Sequence, residues 1–128
     1  MKTILIAEGN ARVADLFVDI FACNGWIVTT WVDGQHAATA LSGSGSYDAV
    51  LVSNRLRDMG GVELITRIRA LDHRKDVPIV MLTGTVGRDV VTAALTAGAD
   101  DVLYKPIDLG VLVATVSKCV ERRKHQGI

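Results

Sequence analysis

Four residues with chemically useful side chains stand just past, or at the end of, short apolar runs. Glu8 follows TILIA, Ser53 ends DAVLVS, Thr83 ends VPIVMLT and Lys105 follows DDVLY. Together they supply a carboxylate, two hydroxyls and an amine. A serine hydroxyl is un-ionised at neutral pH and attacks only when a base removes its proton. His36, His73 and His125 fall in helical or terminal stretches, and LVSNR lacks the glycine flanks of a nucleophile elbow. Ser53 is therefore a poor nucleophile. Singly, a hydroxyl at a strand end caps the next helix and a loop lysine is solvated; only their joint placement is informative. Two glycine-rich segments resemble phosphate loops superficially. SGSGS, Ser42 to Ser46, lies between a helix and a strand, the reverse of the dinucleotide order, and reads as a linker turn. TGTVG, Thr83 to Gly87, follows a strand but lacks the lysine and glycine spacing of a P-loop.

The elements that position these residues follow from periodicity. Thr3 to Ala7 is a short apolar run, as expected of a strand covered on both faces. Val13, Leu16, Phe17, Ile20 and Phe21 then recur at helical spacing, with Asn10 as N-cap and Gly25 as stop. The same pair recurs along the chain: WIVTTWV then GQHAATALS, DAVLVS then GVELITRIRAL, VPIVMLT then RDVVTAALTAGA, DDVLY then DLGVLVATVSKCVERR. Pro78 is placed at the first position of its strand, and Gly98 at the end of the fourth helix. Alternating strands and helices predict a doubly wound α/β fold with a parallel sheet. In such sheets ligands bind outside the carboxyl ends of the strands, where all four residues stand.

Composition excludes several classes. The chain has 128 residues, 49% of them hydrophobic, enough for one domain with a real core, taken as 1–128. Fourteen basic and fourteen acidic residues balance to zero net charge, so nothing recruits nucleic acid or a membrane surface. MKTILIAEGN meets Glu8 too soon for a signal peptide or a membrane span, and a cytoplasmic location is the default. Cys23 and Cys119 lack metal-type spacing and read as reduced, semi-buried thiols. The tail VERRKHQGI reads as a solvated helix end whose positive charges suit the C-terminal dipole.

ILIAEGN, YDAVLVSNRLRDMGGVELI, VPIVMLTG and AGADDVLYKPID together resemble the receiver domain of two-component response regulators, over essentially the whole chain. The resemblance implies a flavodoxin-like five-stranded sheet in the order 2-1-3-4-5 with five helices. It also implies an aspartate at the end of strand three that takes a phosphoryl group from a histidine kinase. Mg²⁺, held by that aspartate and an acidic pair after strand one, assists the transfer. A Thr or Ser ending strand four and a lysine ending strand five contact the phosphoryl oxygens.

On the matching positions, Thr83 fits the hydroxyl, Lys105 with Pro106 fits the Lys-Pro pair, and Gly61 fits the glycine of the turn; Gly61 and Pro106 are the turn and cis-proline candidates. Ser53, however, occupies the acceptor position, Glu8 and Gly9 the acidic pair, Arg57 the usual proline, and Val102 the switching aromatic. Glu8 alone of three expected carboxylates remains, so Mg²⁺ binding is expected to be weak or absent and no cofactor is assigned. Lys105 is expected to pair with Glu8 or hydrogen-bond Ser53. Tyr104, two residues beyond Val102, shares its side of the strand and offers a substitute ring.

The reading reached is a degenerate, phosphorylation-independent receiver, not an enzyme, that binds a protein partner. The resemblance points to the face built from the fourth helix, fifth strand and fifth helix, from about Arg88 to Arg122, with a homodimer through that face as a further expectation. One alternative is a working phosphoacceptor with Asp58 replacing the missing aspartate. A second is a flavodoxin-like small-molecule binder using the TGTVG turn.

Overall fold

Strand residues alternate between two helical layers because successive side chains leave a strand on opposite faces. Leu5, Ala7, Val50, Val52, Ile79 and Met81 pack with Ala37, Leu41, Leu64, Ile65, Ile68 and Ala94. Their neighbours Ile4, Ile6, Leu51, Val80 and Leu82 pack with Phe17, Phe21, Leu112, Val116 and Val120 on the other side. Apolar demand on both faces explains the unbroken hydrophobic runs of the central strands. The computed structural model describes residues 1–126; Gly127 and Ile128, the end of the basic tail, lie outside the described residues.

The chain runs β1 (Lys2–Ala7), α1 (Ala11–Cys23), β2 (Trp26–Trp31), α2 (Gly34–Ser42), β3 (Ala49–Ser53), α3 (Gly61–Arg69), β4 (Ile79–Thr83), α4 (Arg88–Ala97), β5 (Asp101–Tyr104) and α5 (Leu109–Gln126). All strand pairings are parallel, in the order β2-β1-β3-β4-β5. This is the flavodoxin-like order that the resemblance implies. Helix boundaries follow local chemistry. The Asn10 side chain accepts from the Arg12 and Val13 amides at 3.0 and 3.2 Å to start α1, and Gly98, at φ 120°, ends α4 in a conformation that favours glycine.

Two local readings need correction. Pro78 stands one residue before β4, where its carbonyl accepts the Val50 amide at 2.8 Å. Cys23 is exposed rather than semi-buried, because α1 turns its last residue outward; Cys119 is buried. The α3–β4 connection contains an unpredicted 3-10 turn, Asp72–Arg74, whose Arg74 is buried. That guanidinium bonds the carbonyls of Leu41, Gly43 and Gly45 at 3.0, 3.1 and 2.5 Å and lies over the Tyr47 ring. It thereby satisfies the C-terminal carbonyls of α2 and fixes the SGSGS linker.

The lower edge of the sheet carries a second clasp. Asp100 accepts from the Ile79 amide at 2.8 Å, from Arg123 at 2.8 Å and from Arg69 at 3.3 Å. Arg69 also donates to the carbonyls of Gly98, Arg74 and Val77. Burial pushes the Arg69 guanidinium below its ordinary pKa, with the neighbouring Arg123 charge adding to the effect. The clasp ties α3, β4 and α5 to the start of β5 and gives the AGADD segment a structural role.

Candidate functional site

Parallel register brings the ends of β1, β3 and β4 side by side, with Ala7 paired to Val52, Ser53 to Leu82 and Thr83 to Tyr104. Glu8 and Ser53 are almost wholly buried there. The Ser53 hydroxyl donates to Glu8 Oε1 at 2.5 Å, and Lys105 Nζ reaches the same oxygen at 2.5 Å. Glu8 Oε2 accepts the Asn10 amide at 2.9 Å. Both carboxylate oxygens are thus engaged, and the charge is balanced by the Lys105 amine just past the end of β5. The Lys105-Pro106 peptide bond is cis.

Thr83 is buried at the end of β4, but its hydroxyl turns to its own loop and accepts the Thr85 amide at 3.0 Å. It joins the cluster through the backbone, where its carbonyl accepts the Lys105 amide at 2.8 Å. A cleft of about 310 Å³ opens beside it, lined by Asn54, Arg55, Leu82, Gly84, Thr85 and Lys105. Val102 packs against the α2-α3-α4 side of the core, and strand alternation puts the exposed Tyr104 on that same face.

Asp58 is elsewhere. Its carboxylate accepts the amides of Gly34 and Gln35 at 2.6 and 3.0 Å, beside Asp33, which accepts the His36 amide at the same helix end. The Gly34 hydrogen bond is the main cause holding the Asp58 carboxyl below its ordinary pKa. The carboxylate weighed above as a substitute acceptor is an anchor for α2. No sequence signal marks this cap, because its donors lie 23 and 24 residues upstream.

A profile of the response regulator receiver domain matches residues 4–117. The chain belongs to that family. It is a receiver domain of the kind that serves two-component signalling. The transcriptional regulatory protein TcrA of Mycobacterium tuberculosis is 37% identical over 123 residues, covering 94% of this chain and 46% of TcrA. The PrrA regulator of the same species is 37% identical over 120 residues, covering 94% of this chain and 50% of PrrA. The chain therefore spans about half the length of these relatives. Among solved structures, the receiver domain of the sensor histidine kinase PA1611 from Pseudomonas aeruginosa superposes with a TM-score of 0.86 at 28% identity, covering 94% of this chain and 98% of that one. That protein is described with a magnesium ion coordinated in its active-site cleft. A receiver domain protein from Methanospirillum hungatei shares the fold at a TM-score of 0.91 and 22% identity, covering 98% of each chain.

The residues of this receiver do not fit a magnesium ion. Mg²⁺ needs a near-octahedral set of hard oxygens with carboxylate charge. Glu8 is committed to Ser53, Lys105 and Asn10, Ser53 offers a donated proton, and Gly9 has no side chain. Among the described residues no group of three or more His, Cys, Asp or Glu is arranged to hold a metal. No helix among them is long and apolar enough to cross a membrane.

Proposed function

We propose that this receiver is a phosphorylation-independent interaction module that holds one constitutive conformation, and that it is not an enzyme. The observation that carries the proposal is the shared Glu8 oxygen, bonded at once by Ser53 and Lys105 at 2.5 Å each. A phosphoaspartate forms because an ionised carboxylate attacks phosphorus directly. Here the acceptor position holds an un-ionised hydroxyl that donates a hydrogen bond to Glu8, a carboxylate itself held by Lys105 and the Asn10 amide, and the lysine that would contact phosphoryl oxygens is occupied as a counter-ion. The pocket is neutralised by Lys105 and needs no metal ion to balance Glu8.

The proposed output is a protein contact through α4, β5 and α5. Leu95, Tyr104 and Val111 are 48, 40 and 48% exposed on these elements, more than a closed core layer would leave. Kinases, output domains or a second copy are the proposed classes of partner, with no direct role for nucleic acid or membrane and a cytoplasmic setting. Incubation with acetyl phosphate and Mg²⁺, read by intact-protein mass, tests the central statement. No phosphoryl adduct is expected; a stoichiometric, Mg²⁺-dependent adduct would restore the phosphoacceptor reading.

A further inference from the structure

Gly9 occupies the position of the second metal-binding acid, and the space beside it is already filled. A Cβ at this residue would lie 2.7 Å from the Arg55 carbonyl oxygen and 3.2 Å from Leu56 Cα, both backbone atoms. Gly9 is not among the glycines with positive φ, so its conformation admits other residues and only the space does not. The β3–α3 loop is therefore pressed against β1 at the point where a carboxylate would have to project.

The loop is held there from several sides. Arg55 bridges Gly60, the Leu56 amide donates to the Met59 carbonyl at 3.1 Å, and Arg57 Nε donates to the Gly9 carbonyl at 3.4 Å. The Arg57 amide donates to the Val32 carbonyl at 3.2 Å, and Asp58 accepts the Gly34 and Gln35 amides. The Met59 side chain lies on Gly34, in the space a side chain there would take. On the α3 side a Cβ at Gly61 would meet the Ser53 carbonyl oxygen at 2.6 Å. Arg57, Asp58 and Met59 thus form a strap from the pocket to the N-terminus of α2.

We infer that this strap is a steric closure: the β3–α3 loop, latched to α2 through Asp58 and Met59, fills the second acid position with backbone, so that restored carboxylates cannot gather a metal until the latch is cut. The inference rests on the reading of the pocket as a non-switching receiver and deepens it from missing ligands to a closed site. A site that had only lost its carboxylates would regain Mg²⁺ when they were returned. A closed one would not.

The test compares a G9D/S53D variant with the same variant carrying D58A and M59A, each titrated with MgCl₂ and followed by amide NMR at Glu8, Asn54 and Thr83. Saturable shifts are expected only after the latch is cut. Saturation in the G9D/S53D variant itself, or its absence in both folded variants, would overturn the closure. Gly9→Ala keeps the inference testable if the acidic variants do not fold. Glycine to alanine at a compatible backbone normally raises stability slightly, so a fall of several degrees in Tm is expected here, and a Tm at or above wild type would contradict it. Labelling of the wild-type chain by acetyl phosphate would instead sink the proposed function, since the closure is read in variants whose carboxylates have been restored.

Discussion

At the scale of single residues, the Glu8–Lys105 pair is asymmetric. The carboxylate side chain is 3% exposed and the amine side chain 30% exposed, so each loss leaves a different remnant. Lys105→Met strands a buried charge supported only by Ser53 and the Asn10 amide. Breaking a buried pair in this way costs about 3 kcal/mol. Glu8→Gln leaves a lysine that can swing into water and keeps an oxygen for Ser53, but it turns an NH₂ onto the Asn10 amide in place of Oε2, so about 2 kcal/mol is expected. Urea unfolding of both variants checks the order; equal costs, or a larger one for Glu8→Gln, would show that Lys105 is not the counter-ion. The identities of Glu8, Ser53, Thr83 and Lys105 were legible in the sequence because each ends or follows a strand whose hydrophobic run is unmistakable. Their engagement was not: whether Thr83 faces the cluster or its own loop depends on backbone geometry after β4, which no spacing encodes.

Elements are tied together by charged side chains that reach across long stretches of chain. Asp100 joins Arg69, Arg123 and the Ile79 amide, so Asp100→Ala leaves a half-buried Arg69 without its carboxylate. A loss of about 3 kcal/mol is expected by chemical denaturation, and a loss near that of an ordinary surface substitution would remove the clasp from the account. Asp58 makes a pH prediction. Its carboxyl is held below the usual carboxylate range by the Gly34 amide, so the unfolded chain binds its proton first as pH falls. The contribution is present above the ordinary carboxylate pKa, about 3.9, and is lost as pH drops through the lower folded value. Asp58→Asn should therefore flatten the acid limb of the stability curve between those values. An unchanged limb would contradict the cap. Strand and helix order was readable from period alone, since strand runs and helical stripes alternate without ambiguity. The Arg74 clasp and the Asp58 anchor were not, because each joins residues more than 20 apart in sequence through loops that carry no periodic signal; the 3-10 turn was not, because Asp72–Arg74 is too short to show a period.

For the whole molecule, the fold of a receiver persists although the acceptor position holds Ser53 and the acidic pair reads Glu8 and Gly9. The two core layers depend on strand alternation and not on the pocket, so Ser53, Glu8 and Gly9 can depart from the family pattern without disturbing the sheet. The same separation predicts that Ser53→Asp alone leaves the molecule folded but does not create a phosphoacceptor, since Gly9 and the loop above it are unchanged. Acetyl phosphate labelling of that variant checks this, and efficient labelling would mean that the acceptor alone was lacking. The most direct measurement of the central claim is an amide-resolved NMR titration of the wild-type chain with Mg²⁺ and then beryllofluoride, a mimic of the aspartyl phosphate. The account predicts unmoved amides at Glu8, Ser53, Thr83 and Lys105; saturable shifts spreading from Thr83 toward Val102 would show a pocket that still switches and would contradict it.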